Sequence, residues 1–343
     1  IHRNELSTQS LCLTFMSLID GFGRPIHYLR LSVTDRCDFR CVYCMAEDMQ
    51  FLPRDQILTI EEMTWLAQAF TELGVHKIRI TGGEPLIRRN INQLWRNLGA
   101  LPLLKELTLT TNGSHLAQHA QALVDAGVKR INVSLDSLDA NKFTQLTRTG
   151  NLAQVLDGID TAIAAGLHIK LNSVILKNRN SDEILPLVRY AVDKGMDISF
   201  IEEMPLGVIN DHARNEEFIS SEQVRQVIAQ SFDLTASNKN TGGPSQYWQV
   251  NNSASFIGFI SPHSNNFCSS CNRVRVTAEG KLLLCLGNEN SVDLRAIIRN
   301  NPNNMDVLKQ HIIDSMTHKP EKHHFDHSSD EPDIVRFMNM TGG

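Results

Sequence analysis

Six of the chain's seven cysteines fall into two groups of three. Cys37, Cys41 and Cys44 make a C-x-x-x-C-x-x-C run, while Cys268 and Cys271 make a C-x-x-C pair with Cys285 further on. An odd total gathered in tight groups reads poorly as a disulfide framework and well as metal ligation. Three thiolates can hold three irons of a 4Fe–4S cluster, and the fourth iron is then open to another molecule. Zinc is the alternative reading. It takes four ligands, usually as two CxxC or CxxH pairs, and no fourth ligand lies close to the first trio in sequence. At the second trio His263 could complete such a site, so zinc stays open there. Cys12 is left over and reads as a partly buried spectator thiol.

Two polar stretches stand beside these trios. Asn272-Arg273-Val274-Arg275-Val276-Thr277 follows Cys271 directly. On a strand, Arg273 and Arg275 project from one face, because side chains alternate with a period of two. Two neighbouring guanidiniums are ordinary on a solvated face; aimed into a cavity, they make a fork for phosphate oxygens. The second stretch, Thr81-Gly82-Gly83-Glu84-Pro85, ends a strand-like run. A glycine pair usually marks a turn, but at a strand end it also permits close backbone approach to a ligand.

The elements that must position these groups alternate strand and helix over the first two-thirds of the chain. Strand character covers Ile26–Thr34, His76–Thr81, Glu106–Thr110, Arg130–Asp136, His168–Leu176 and Asp197–Met204. Thr59-Ile60-Glu61-Glu62 is a capping box opening a helix to about Leu73. Further helix signals start near Asn90, Ser114, Asp139 and Leu152, with another between the last two strands. Six βα units imply a parallel sheet with right-handed crossovers. A closed eight-stranded barrel would need two more units, so the expected fold is α/β, an incomplete (βα)6 TIM-like barrel. After Gly207 the rhythm changes to a capped helix over Ser220–Gln230. Short strands at Tyr247–Val250, Ser255–Ile260, Val274–Thr277 and Lys281–Leu286 follow, then helices near Asp293 and Met305. The expected division is an N-terminal extension over 1–20, a partial barrel over 21–219, and a C-terminal α+β region over 220–343 that carries the second cluster and closes the barrel.

The bulk properties fit a globular chain. Its 343 residues are 41% hydrophobic and 21% charged, with a net charge of −5. Such a balance argues against a nucleic-acid partner, since no global field would attract a phosphate backbone, yet clustered arginines can still bind an anionic small molecule. The apolar run Leu11–Ile19 lacks an A-x-A-like cleavage site, and Glu5 sits where a signal peptide would be basic. No run approaches the roughly 18 apolar residues of a membrane span. The expectation is a cytoplasmic protein without a membrane partner.

A CxxxCxxC run after the first strand of a partial barrel resembles the radical S-adenosylmethionine (SAM) superfamily. CDFRCVYCM, RITGGEPL, LTTNG, RINVSLDSLD, FIEEMPLG, FCSSCNRVRVTAEGKLLLCLG and the terminal Gly342-Gly343 together resemble its GTP 3′,8-cyclase (MoaA) family, from about Asp20 to the last residue. The resemblance implies two [4Fe-4S] clusters, one on Cys37, Cys41 and Cys44 that binds SAM, the other on Cys268, Cys271 and Cys285 that meets the guanine. Tyr43, Gly83, Ser134 and Met204 would contact SAM. Arg30, Arg79, Thr110, Lys170, Arg273, Val274 and Arg275 would contact GTP. In that family a 5′-deoxyadenosyl radical takes hydrogen from ribose C3′, and the carbon radical attacks C8. The product, (8S)-3′,8-cyclo-7,8-dihydroguanosine 5′-triphosphate, begins molybdenum cofactor (molybdopterin) biosynthesis. The implied partners are an electron donor and a downstream cyclic pyranopterin monophosphate synthase; a homodimer is allowed. The alternative activity is that of another radical SAM enzyme with an auxiliary cluster, such as one modifying a peptide. Asp38, Val274 and Asn266 depart from the family's commoner asparagine, leucine and histidine without removing a cluster ligand. Gly342-Gly343 would reach the active site, whereas His318, His323, His324 and His327 read as a solvated segment.

Overall fold

The computed structural model describes residues 17–209, 213–323, 325 and 334–342. Cys12, most of the N-terminal extension, His324, His327 and Gly343 lie outside them.

Six parallel strands form the centre: β1 (Tyr28–Ser32), β2 (Lys77–Thr81), β3 (Glu106–Thr111), β4 (Arg130–Ser134), β5 (His168–Val174) and β6 (Asp197–Ile201). Between them run the crossover helices α1 (Ile60–Glu72), α2 (Ile91–Gly99), α3 (Leu116–Asp125), α4 (Ala140–Thr147), α5 (Leu152–Ala164) and α6 (Ile184–Asp193). The expected capping box is present: Thr59 Oγ1 accepts from Glu62 N–H, and Glu62 accepts from Thr59 N–H. Helices cover the outer face, so the strands are buried on both sides, and β2 has no exposed position at all. Leu29, Leu31, Ile78, Ile80, Leu109, Ile131 and Val133 point into the helix-facing core, while the polar residues between them point inward to the barrel.

The C-terminal region does not stand apart from this sheet. After α7 (Arg214–Glu217) and α8 (Ser221–Ala229) come β7 (Leu234–Ser237), β8 (Gln246–Val250), β9 (Phe256–Ile260), β10 (Arg273–Val276), β11 (Lys281–Leu283) and β12 (Ser291–Asp293). The resulting sheet has the order β12-β11-β10-β1-β2-β3-β4-β5-β6-β9-β8-β7. β9 adds parallel to β6, with Ile198 opposite Ile257, and β10 adds parallel to β1, with Arg30 opposite Arg275. The barrel therefore gains two parallel strands, although neither comes from a βα unit; each is brought in by an antiparallel neighbour. β9 and β10 do not pair, and the sheet stays open there. The chain from Ser261 to Asn272 must join one flank of the opening to the other, and it carries Cys268 and Cys271. Helices α9 (Leu294–Asn300), α10 (Met305–Met316) and α11 (Met338–Thr341) complete the region. No helix among the described residues is long and apolar enough to cross a membrane.

Candidate active site

One cavity opens inside the curled sheet, and both cysteine trios line it. The first trio lies on the loop after β1. The end of β2 sets that loop's path: Gly83 N–H donates to Thr34 O at 2.8 Å, and a Cβ on Gly83 would lie 2.3 Å from Arg36 O. Only glycine allows this contact. The close approach served by the glycine pair is thus to the Asp35–Arg36 main chain, in addition to the place Gly83 takes in the cavity wall.

The residue after it, Glu84, is fully buried and ties strand ends together. Its carboxylate accepts from Leu86 N–H at 2.9 Å, Thr111 Oγ1 at 2.8 Å and Asn112 N–H at 2.6 Å. Burial pushes its pKa up to about 8 despite those donors. Asn112 in turn donates to Asp38 Oδ1 at 2.7 Å, and Ser114 donates to Asp38 Oδ2 at 2.6 Å. The aspartate at position 38 is therefore well used, as the acceptor that pins the cysteine loop to β3. Tyr43 donates to Asp136 Oδ2 at 2.7 Å, which fixes its ring beside β4. The last described turn closes this assembly, with Met338 N–H donating to Cys44 O and Asn339 Nδ2 to Asp35 O.

The two trios differ electrostatically. Burial raises the Cys41 and Cys37 thiols well above their usual range and Cys44 to about 12, and neighbouring groups including Glu84 and Asp136 add to this. At the second trio burial also lifts Cys268, but for Cys271 it is outweighed by Lys319 and Arg273, and that thiol is lowered. Thiolates of either trio need a metal centre to hold them, and binding it releases protons. Among the described residues no three His, Cys, Asp or Glu side chains converge on a single ion position. Three thiols lining one hollow can take the three protein-held corners of a cluster. His263 is engaged elsewhere, with Nε2 2.8 Å from Glu203 O and its ring edge-on to Phe218. In this arrangement His263 does not supply a fourth ligand to the second trio.

The turn bearing Cys268 and Cys271 is held by two side chains. Asn266 Oδ1 accepts from Cys268 N–H at 2.8 Å. Arg24, paired with Asp20 at 2.6 Å, donates to the carbonyls of Cys268, Glu321 and Pro320. His323 does not lie in a solvated segment. It lines the cavity, its ring 4.4 Å from that of Phe325.

Inward-facing cations collect on neighbouring strands of the same cavity. Arg30 stands between Arg79 of β2 and Arg275 of β10 in the sheet register, and Tyr28 stands between Lys77 and Arg273. Arg79 donates to Tyr28 Oη at 2.6 Å, Leu109 O at 2.9 Å and Thr110 Oγ1 at 3.1 Å. Lys170 donates to Tyr247 Oη at 2.8 Å. Arg273 and Arg275 share the inward face, as the alternation predicts. Val274 between them buries its side chain on the other face, so what it offers a ligand is main chain. Gly342 reaches the same place: its carbonyl accepts from Arg30 at 3.1 Å, and a Cβ there would lie 2.6 Å from Thr81 Oγ1.

Every residue singled out for a cluster, for SAM or for GTP lines this one cavity, Ser134 and Met204 included. Sequence reasoning missed Tyr28, Tyr247, Arg24, Glu84 and Asp136 as members of the site. Glu84 had a signal in its place after the glycine pair; the others are single polar residues with no pattern around them.

An open parallel barrel with a three-cysteine loop after its first strand defines a class, and the comparisons agree. Residues 31–191 match the Radical SAM superfamily, and residues 196–325 match Molybdenum Cofactor Synthesis C. The fold resembles Streptococcus suis SuiB bound to S-adenosylmethionine, with a TM-score of 0.62, 14% identity, and coverage of 92% of this chain and 77% of that one. That likeness speaks to the fold alone. Curated relatives carry more. The GTP 3′,8-cyclase of Saccharophagus degradans is 60% identical over 328 residues, 95% of this chain and 99% of the relative. That of Pseudomonas fluorescens is 59% identical over 328 residues, 95% of this chain and 98% of the relative. The chain belongs to the GTP 3′,8-cyclase family of radical SAM enzymes.

Proposed function

We propose that this chain is a GTP 3′,8-cyclase, forming (8S)-3′,8-cyclo-7,8-dihydroguanosine 5′-triphosphate in the first step of molybdenum cofactor biosynthesis. The observation that carries this is the joining, in one cavity, of two cysteine trios with a set of inward-facing cations. The first trio would hold a [4Fe-4S] cluster and the second trio another, each keeping one iron without a protein thiolate. When bound, the first cluster with SAM supplies the 5′-deoxyadenosyl radical that removes the C3′ hydrogen.

The protein's own part is placement. Tyr43, Gly83, Ser134 and Met204 contact SAM; Arg30, Arg79, Thr110, Lys170, Arg273, Val274 and Arg275 contact GTP. Buried guanidiniums bind phosphate oxygens through charge-assisted hydrogen bonds, and they fix the ribose between the two clusters. Val274 contributes backbone, as its side chain faces the core. Arg30 also holds the Gly342 carbonyl, so the tail shares the substrate's cation.

The reaction adds an electron and a proton back after the C3′ hydrogen leaves, so the product is an isomer of GTP and an electron donor is needed. A cyclic pyranopterin monophosphate synthase would consume the product. We place the protein in the cytoplasm, where GTP and reductant meet, and a homodimer is allowed. Another radical SAM activity, such as peptide modification, has no use for a cation-lined floor. Anaerobic reconstitution with iron and sulfide, then SAM, GTP and reductant, tests the assignment. Liquid chromatography with mass spectrometry should find a nucleotide of GTP's mass at a new retention time. Unchanged GTP beside full SAM cleavage would refute it.

A further inference from the structure

Two buried cations of the cavity floor take their partners from tyrosines rather than from carboxylates. Arg79 and Lys170 are 4% and 3% exposed. Among the described residues neither forms a salt bridge, although carboxylates stand nearby: Glu106 pairs with Lys77 and Arg130, and Asp197 pairs with Lys239 and His168. Arg79 Nε instead donates to Tyr28 Oη at 2.6 Å, and Lys170 Nζ donates to Tyr247 Oη at 2.8 Å. Each ring also has a further lysine near it, Tyr28 with Lys77 at 5.0 Å and Tyr247 with Lys239 at 5.6 Å from the ring centre.

A buried cation needs an acceptor, and the kind of acceptor decides what it can still do. A carboxylate would satisfy the donor geometry but cancel the charge, and an arriving phosphate would have to compete with it. A phenol oxygen that keeps its proton satisfies the geometry while leaving the cation's charge largely available to a ligand, and the ring quadrupole adds attraction without a counter-ion. We propose that Tyr28 and Tyr247 are positioning residues for the triphosphate, holding Arg79 and Lys170 toward the cavity with their charge uncancelled. Their effect is selective for the phosphate chain and absent for the nucleoside. The proposal rests on the reading of this cavity as a GTP site.

The test uses the reconstituted protein with both clusters, titrated anaerobically at pH 6, where the Tyr28 phenol and the Lys170 ammonium keep their protons, by calorimetry with GTP and with guanosine, without reductant. Tyr28→Phe and Tyr247→Phe keep the rings and remove the oxygens. Each should weaken GTP about 3- to 30-fold while leaving guanosine affinity and iron content unchanged. Tyr28→Glu keeps an acceptor but adds a counter-charge, and it should weaken GTP more than the phenylalanine does. Phenylalanine variants that bind GTP like the wild type would overturn the proposal. So would an equal loss of GTP and guanosine, which marks a structural role, or a glutamate variant that binds GTP as well as the wild type does. Wild-type protein that binds guanosine as tightly as GTP would instead overturn the reading of the floor as a triphosphate site.

Discussion

At the residue scale, the trios and the cations make separable demands. Cys41→Ala should leave about half the iron and abolish 5′-deoxyadenosine formation, because the SAM cluster is lost. Undiminished cleavage, read by liquid chromatography, would contradict that. Arg273→Ala should keep both clusters and weaken GTP by about 1.5–3 kcal/mol, the worth of one charge-assisted hydrogen bond; unchanged affinity would remove Arg273 from the phosphate site. Lys170 gives a pH dependence. Burial, reinforced by Arg79 and Arg130, brings its pKa down to about 7, with Asp197 and Tyr28 pulling the other way. Tyr28 is itself brought down to about 7, since Arg79, Arg30 and Lys77 outweigh the burial that would raise it. As pH rises through 7 the free floor becomes less positive, because Lys170 loses its charge and the Tyr28 phenol becomes a phenolate, and a bound triphosphate favours putting both protons back. GTP binding should therefore take up protons and weaken above pH 7, by at most about tenfold per pH unit per proton. Calorimetry in buffers of different ionisation enthalpy measures that uptake, and a flat affinity with no uptake would exclude the effect.

The cysteines were legible at this scale because metal chemistry leaves a spacing in the sequence. The arginine pair was legible because a strand places alternate residues together. Tyr28 and Tyr247 were not. A tyrosine on a strand looks like core, and only the folded register shows that one faces Arg79 and the other Lys170.

At the element scale, six βα units could be read from alternation and from caps such as Thr59-Glu62. Five of their strands come out shorter than expected and β3 runs one residue longer, to Thr111; β6 ends at Ile201, before the expected Met204, where the chain passes into the cavity wall. Two edge strands, β7 and β12, gave no signal. Their side chains are mostly exposed, so no burial pattern marked them. The parallel pairing of β9 with β6 and of β10 with β1 left no trace either, since partners such as Leu29 and Val274 are too far apart in sequence for local patterning to report. The β2 end offers a test. Gly83→Ala forces a Cβ to 2.3 Å from the Arg36 carbonyl, and main chain there has little room to move. The variant should bind SAM poorly and lose iron from the first cluster while the second stays filled, at a stability cost of about 1–3 kcal/mol. An alanine variant with full iron and normal SAM affinity would show that the loop tolerates the shift.

At the scale of the whole molecule, the family division near residue 196 and our division at 219 both cut through one continuous sheet. The six-stranded part has β1 and β6 as its edges, and the C-terminal strands cover both. A chain ending at residue 219 would expose two long, buried edges at once, which invites association. We expect that fragment to aggregate or to lack cooperative unfolding by circular dichroism, and a soluble, cooperative fragment would show the barrel to be self-sufficient. The same topology explains why the second trio faces the first. The segment from β9 to β10 must cross the opening, so Cys268 and Cys271 are delivered to the cavity that the loop after β1 also lines, and Cys285 reaches it from the turn after β11.

The central claim is that one chamber sets a radical source against the ribose of a nucleotide held by its guanine and its phosphates. GTP deuterated at C3′, incubated with the reconstituted protein, SAM and reductant, tests it most directly. The 5′-deoxyadenosine recovered should carry the deuterium, because the hydrogen it gains comes from that carbon. Unlabelled 5′-deoxyadenosine formed in step with a cyclised nucleotide would contradict the placement of ribose and clusters in this cavity.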